Sequence, residues 1–294
     1  MLSINRIFNT LRGVYLDIYF YFKKSLLFKD KFGLSYYLYK NTRPKNTYNI
    51  GVRTDDTTVL YVIEKILSSS NNVNNNYIHC VDVGSYIGVV TLMMSKVLQK
   101  KSLRWQVHSF EPYHETFLRL KKNVDLDIAN KNIVLNNIAV SDKSGVQTLK
   151  TYPTTPGQNH IDINSSENED GVKKEKVNVI TLHQYMNEKG IKHLKICKID
   201  TEGTDELVVK GLNEYLNTKA IDYFIFEYQD NKSYQNIKSL LLSKGYKIYY
   251  MVRNENILVS SLENYPKNSK SLLNLIAVSE DKIIGFKKDF NLIN

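Results

Sequence analysis

The sequence predicts an α/β fold built on a mostly parallel sheet with helices on both faces. Three observations predict it. From Ile78 onward, short apolar runs of strand character alternate with runs of helical spacing. The first such strand passes into a helix through a turn bracketed by Gly84 and Gly88. Acidic residues stand where strands end, at Asp82, Glu111 and Asp200, which is where ligands collect in open α/β sheets.

The elements follow in order. Ile4, Ile7, Phe8, Leu11, Val14, Tyr15, Ile18 and Phe22 recur at helical spacing, with charges largely between them. "FGLSYYLYKN" and "TYNIGV" read as a short hairpin. "TTVLYVIEKIL", after Asp55 and Asp56, reads as a helix with an acidic start, and "SSSNNVNNN" as a polar loop. Then "IHCVDV" is a strand and "GVVTLMMSKVLQK" a helix; "QVHSFE" is a strand and "ETFLRLKKNVDL" a helix. "NIVLNNIAV" reads as one strand, "SDKSG" as a turn and "VQTLKTY" as another strand. Residues 153–176 are polar and irregular. "VNVI", "HLKICKID", "IDYFIFEY", "YKIYYMV" and "LLNLIAVS" are strands; "LHQYMNEKG", "ELVVKGLNEYL" and "SYQNIKSLLLSKG" are helices. The chain divides into an N-terminal extension of helix, hairpin and helix over 1–76 and an α/β domain over 77–294.

Composition narrows the function. The 294 residues are 42% hydrophobic, enough for a substantial core, and carry a net charge of +10. Residues 1–50 hold nine Lys and Arg against Asp17 and Asp30, so +7 resides there and the body is nearly neutral. A body that binds nucleic acid would carry a basic face of its own, which disfavours a nucleic-acid partner. Cys80 and Cys197 each sit within an apolar strand, as buried core residues of a protein in a reducing, cytoplasmic compartment. No stretch reaches the ~20 apolar residues that span a bilayer, and no signal peptide with a clean apolar stretch and small-residue cleavage site is evident.

The chemistry concentrates at the strand ends. Glycines at 84 and 88 let the backbone turn sharply and approach a ligand, and the following helix aims its positive end at the same point. Glu111, 23 residues past Gly88, is placed to accept hydrogen bonds from a ribose diol. Such a pair suits a nucleoside cofactor, NAD or S-adenosylmethionine. The turn is Gly-Ser-Tyr-Ile-Gly rather than G-x-G-x-x-G, and Asp82 just before it would repel a pyrophosphate but suits a cationic amino group.

Taken in order, "VDVGSYIGVVTL", "FEP", "IAVSD" and "KIDTEG" resemble the FkbM family of S-adenosylmethionine-dependent methyltransferases, from about residue 78 to 228. The resemblance implies the class I (Rossmann-like) methyltransferase fold, with a seven-stranded sheet and one antiparallel strand. It implies O-methylation of hydroxyls on sugars, glycans, glycolipids or polyketides. It places Asp82, Gly84, Ser85 and Gly88 in the cofactor turn, Glu111 on the ribose, Ala139 and Asp142 beside the adenine, and Asp200 and Glu202 where the methyl group meets the acceptor. Two departures stand out. Ser85-Tyr86 replace the family's Ala-Asn, and Thr204-Asp205 replace its Ala-Glu.

An aliphatic hydroxyl is a weak acid, so a group within hydrogen-bond reach must help remove its proton. Asp200 is the first choice for that base, Glu202 the second, and His160 in the irregular segment the third. Glu202 also reads as a helix cap. A divalent metal could use Asp200, but no further clear ligand set is visible. Glu227, ending "FIFE", reads equally as an acceptor contact or as a paired strand-end acid. An RNA methyltransferase is the competing enzyme, but the Asn/Asp-Pro-Pro-aromatic motif of base-amino methylation is missing. A catalytically silent cofactor-binding protein is the competing class.

Residues 1–24, amphipathic and carrying Arg6, Arg12, Lys23 and Lys24, read either as a helix packed on the body or as a weak peripheral membrane contact, opposed by Asp17. Each basic residue near an anionic surface contributes about 1 kcal/mol. The membrane reading predicts salt-sensitive co-sedimentation with anionic liposomes that disappears when residues 1–24 are removed. Binding that survives the truncation, or no binding at all, leaves the packed helix.

Overall fold

The computed structural model describes residues 25–30, 32–39, 56–69, 77–101, 104–153, 155–163, 171–212, 214–228, 232–252, 257–261, 263–264, 274–290 and 292–293. The amphipathic stretch 1–24 and the strand expected at "TYNIGV" lie outside them.

The described chain opens with β1 (Ser25–Lys29) and β2 (Ser35–Tyr39), an antiparallel hairpin. The strand expected in "FGLSYYLYKN" is β2; its partner precedes it, in a segment the sequence left unassigned. Asp30 closes the turn, its Oδ1 accepting from the backbone N–H of Phe32 and of Leu34, both at 2.9 Å. Helix α1 (Asp56–Ser69) follows, with Val59, Leu60, Val62, Ile63, Ile66 and Leu67 buried. These residues, with Tyr36 and Leu38 of β2, join the same apolar cluster as the main sheet.

The alternation expected from Ile78 is present: β3 (Ile78–Val83), α2 (Val89–Gln99), β4 (Trp105–Phe110), α3 (His114–Val124) and β5 (Ile133–Asn136). The expected single strand "NIVLNNIAV" is two, because Asn136 and Asn137 turn the chain away. The Nδ2 of Asn136 donates to the Ser109 carbonyl at 3.1 Å, and that of Asn137 to the Glu111 carbonyl at 2.9 Å. The second piece, β6 (Ala139–Val140), joins β7 (Gly145–Thr151), β8 (His160–Ile161) and β9 (Lys173–Ile180) in a separate sheet ordered β6-β9-β7-β8. The segment read as irregular over 153–176 thus contains β8 and the first half of β9. Its strand signal was weak because only its last two residues, Val179 and Ile180, are buried.

Then come α4 (Leu182–Glu188), β10 (Leu194–Ile199), α5 (Asp205–Lys210), α6 (Glu214–Asn217), β11 (Ile221–Glu227), α7 (Lys232–Ser243), β12 (Tyr246–Val252), β13 (Ile257–Val259), β14 (Asn274–Ser279), α8 (Ile283–Asp289) and β15 (Leu292–Ile293). The main sheet runs β15-β13-β12-β14-β11-β10-β3-β4-β5. Its central seven strands, from β12 to β5, are parallel except β14, which is antiparallel to both neighbours. That matches the expected seven strands with one reversed; short β13 and β15 extend the β12 edge. Alternate residues serve opposite layers. Cys80 and Ile196 face a cluster built with α1, α2 and α8, whereas Val81, Val83, Cys197 and Ile199 face one built with α4, α5 and α7.

"ELVVKGLNEYL", expected as one helix, breaks into α5 and α6 at Gly211. A Cβ there would sit 2.3 Å from the Ser141 carbonyl oxygen, and the Gly211 carbonyl accepts the His183 N–H at 3.1 Å. Since the opposing atom is backbone, Gly211→Ala should destabilise the protein by about 1–3 kcal/mol, read as a lower midpoint in urea. An unchanged midpoint would mean that this approach is looser than described.

Candidate active site

The carboxyl ends of β3, β4 and β10 open onto a cleft with about 530 Å³ of empty space, open to solvent. The small sheet forms its opposite wall through Ala139, Val140, Leu149, His160 and Ile161.

The turn after β3 is shaped by a close approach. Gly84 has φ +75°, and a Cβ on it would lie 1.8 Å from the Asp200 carbonyl oxygen. The Asp200 N–H in turn donates to the Val83 carbonyl at 3.0 Å. The backbone N–H groups of Gly84 and Ser85 both donate to the Phe110 carbonyl, at 3.0 and 2.9 Å. The Ser85 hydroxyl donates to the Asp82 carbonyl at 2.7 Å and accepts the Phe110 N–H at 3.0 Å. Tyr86 is held at φ +50°, costly for a bulky residue, and its N–H donates to Glu111 Oε2 at 3.1 Å. Gly88, at φ +91°, precedes α2 and lies against Leu120.

Glu111 is buried at the tip of β4. Its other oxygen accepts the Tyr113 N–H at 3.0 Å. Burial outweighs these two bonds and pushes its carboxyl up to about 8. Asp82 is fully buried, with Oδ2 accepting from the Thr91 hydroxyl of α2 at 2.6 Å. Burial raises its pKa as well, against the opposing pull of Lys198. Lys198, itself 8% exposed, pairs in register with Asp82 across β10 and β3, and its Nζ contacts Asp200 Oδ2 at 2.9 Å. After Asp200 the chain turns sharply, with Glu202 at φ +52° and Gly203 at φ +105°. Asp205 ties this turn, its Oδ1 accepting from the N–H and the hydroxyl of Thr201 at 2.8 and 2.5 Å. Burial first, and then the nearby Asp200, raises the Asp205 carboxyl.

Of the residues singled out in the sequence, Gly84, Glu111, Ala139, His160, Asp200 and Glu202 line the cleft together. Asp82, Ser85 and Gly88 stand behind it and build the turn. Asp142 lies beside the Gly211 approach. Lys198 was not singled out, although its spacing of two from Asp200 places both on one side of β10. Thr91 and Thr201 act through hydrogen bonds that span turns, and no sequence pattern marks them; Asp205 stood out only as a departure from the family's Ala-Glu. Among the described residues, no group of three or more His, Cys, Asp or Glu is arranged to hold a metal ion.

A seven-stranded sheet with one reversed strand and a glycine turn facing a strand-end acid defines a class I, S-adenosylmethionine-dependent methyltransferase. The chain belongs to the FkbM methyltransferase domain family, whose model matches residues 82–248. It is 24% identical over 184 residues to Methyltransferase 1 of Beauveria bassiana (strain ARSEF 2860), covering 57% of this chain and 72% of that one. Its fold is shared with an S-adenosylmethionine-dependent methyltransferase from Agrobacterium tumefaciens, at a TM-score of 0.50, 10% identity and coverage of 88% and 71% of the two chains. It also resembles methyltransferase FkbM from Methylobacillus flagellatus KT, at a TM-score of 0.43 and 11% identity, with 70% of this chain and 44% of that chain covered.

The residues present fit the cofactor S-adenosylmethionine. The backbone of Gly84 lines the cleft, and the Glu111 carboxyl at the cleft wall keeps lone pairs for ribose hydroxyls. Asp200 and Glu202 give the cleft an acidic lining suited to a cationic ligand.

The Glu111 carboxyl carries a pH signature. Its folded pKa of about 8 exceeds the usual 4.5. Between these values the folded protein holds a proton that the unfolded chain releases, so stability falls as pH rises through that window. Glu111→Gln should flatten this fall in thermal melts. Ribose hydroxyls bind best to the ionised carboxylate, so S-adenosylhomocysteine should bind the wild type more tightly as pH rises toward 8, with proton release. Calorimetry of the wild type showing pH-independent affinity would remove Glu111 from the ribose site.

Proposed function

We propose that the protein is an O-methyltransferase acting on a hydroxyl of a sugar, glycan or related metabolite. The observation that carries the proposal is the meeting of Glu111, Asp200 and Glu202 in one cleft opposite a wall from the small sheet. Asp200 and Glu202 suit a cationic donor on one side, with Glu111 beside them. The other side offers Asn159 and His160, with Tyr152 against the His160 ring at 5.6 Å, a combination suited to a polyhydroxylated ring.

S-adenosylmethionine, when bound, supplies an electrophilic methyl group. Glu111 and the backbone from Gly84 to Tyr86 would hold its nucleoside portion. Ala139 would border the adenine. Asp200, braced by Lys198, and Glu202 would stand at the methyl-transfer end. Fixing donor and acceptor in line would supply much of the rate.

The free, buried cysteines support a reducing, cytoplasmic setting. Burial raises the thiol of Cys80 to about 12 and that of Cys197 still further, which leaves both unreactive. No described helix is long and apolar enough to cross a membrane. We propose residues 1–76 as an extension of a methyltransferase domain over 77–294, with residues 1–24 either packed on that domain or in weak peripheral contact with a membrane.

Mass spectrometry of glycans and sugar metabolites from cells with and without the protein should reveal species that differ by one methyl group on oxygen. Methylation confined to nitrogen or to nucleic acid would sink the proposal.

A further inference from the structure

A hydroxyl that gains a methyl group must lose a proton. We infer that His160, rather than Asp200, takes it. The inference rests on the hydroxyl-methylation reading above.

Among the described residues that line the cleft, His160 is the sole basic side chain. Its backbone is held on a strand rather than on a free loop: His160 pairs with Lys150 and Ile161 with Leu149. Its Nδ1 lies 3.0 Å from the Gln158 carbonyl oxygen. A carbonyl only accepts, so Nδ1 carries the hydrogen, and in the neutral ring Nε2 carries the lone pair. Nε2 has no hydrogen-bond partner among the described residues. Tyr152 backs the imidazole, with the rings tilted 32°, and the Tyr152 N–H is anchored on Asn159 Oδ1 at 2.8 Å. An oriented base therefore stands on the acceptor wall, its Nε2 turned from the Gln158 carbonyl.

Asp200 and Glu111 are worse placed for this task. Asp200 is engaged by Lys198 at 2.9 Å, and protonating it would forfeit that ion pair. Glu111 accepts two backbone N–H bonds at the ribose end. Charge balance favours the imidazole as well. The acceptor's O–H bond breaks, its proton passes to Nε2, and its electrons stay on oxygen. The O–CH3 bond forms as the S–CH3 bond breaks, with that electron pair remaining on sulfur. One positive charge enters on the sulfonium and one remains on the imidazolium, so Asp200 and Glu202 face a cation throughout. With either of them as base, its charge would be lost during the step. The other titratable groups near His160 are Tyr86 across the cleft, Tyr152 behind it, and Lys150, Asp162 and Lys174 on the small sheet. Asp162 there pairs with Lys150 at 3.9 Å and with Lys174 at 3.2 Å.

The test uses the full chain with tritiated S-adenosylmethionine and a total pool of cellular glycans and sugar metabolites as acceptor. His160→Gln should lower kcat about a hundredfold to ten-thousandfold while leaving S-adenosylhomocysteine affinity and thermal stability unchanged. It should also remove the acid limb of the kcat profile, and added imidazole should partly restore His160→Ala. Long-range 15N–1H spectra of the cofactor-free protein should show neutral His160 protonated on Nδ1. A proton on Nε2, or wild-type kcat and pH profile in His160→Gln, overturns the assignment alone. No transfer to any hydroxyl by wild-type protein that binds the donor overturns the O-methylation reading and this assignment with it.

Discussion

The α-carbon of Gly84 and the carbonyl of Asp200 pack so closely that no side chain fits between them, and most of the site follows from that contact. It joins the ends of β3 and β10, whose parallel pairing sets Val83 beside Ile199. The turn above β3 is then anchored on β4, because its first two N–H groups share the Phe110 carbonyl and its third meets Glu111. Three neighbouring strand ends thus become one rigid rim. A backbone contact achieves this more firmly than a pair of side chains would, since neither partner has a rotamer to change.

The rim has an energetic cost. Tyr86 and Glu202, one in each motif turn, are non-glycine residues at positive φ, a conformation that costs on the order of 1–3 kcal/mol where it persists. Asp82, Glu111 and Asp205 are acids buried enough for their carboxyls to be raised. Lys198 offsets part of this by standing beside Asp82 and Asp200 together, a buried cation that removal of either acid would leave poorly compensated. At the far end of the sheet the balance is reversed. Asp222 is buried too, yet bonds from His193 and Lys195 at 2.9 Å outweigh burial and hold its carboxyl below the usual range. That end stabilises; the cleft end concentrates unfavourable charge where a cationic ligand would relieve it.

The central sheet was legible because strands buried between two helical layers must be apolar, and helices must show their own period. The acids at its edge were legible because their type contrasts with the runs they terminate. Where the chain serves two sheets in succession, as from Ile133 to Val140, an unbroken apolar run concealed the change of partner, and the Asn136–Asn137 side-chain bonds that enforce it are not periodic. β9 was half hidden because Lys173–Lys176 face water on both sides of the strand signal, and β1 because its five residues carry no turn marker before them. Lys198 was missed for a different reason. A lysine in a strand ordinarily reads as solvated, and only the acids on neighbouring elements make it a buried partner.

The small sheet has a small apolar cluster of its own, Ala139, Leu149, Ile161 and Val179, and joins a cluster of the main sheet only through Val140 and Ile180. A unit with so few buried contacts opens at a lower free energy than the sheet it leans on. Its amides would therefore exchange hydrogen with solvent through local opening, while those of β3 and β10 wait for global unfolding. On the proposed assignment the donor side draws on both units, since Ala139 comes from the small sheet, whereas His160 comes from the small sheet alone. Substitutions in β7 and β8 should therefore alter the His160 wall of the cleft with little effect on the strand ends that carry Glu111 and Asp200.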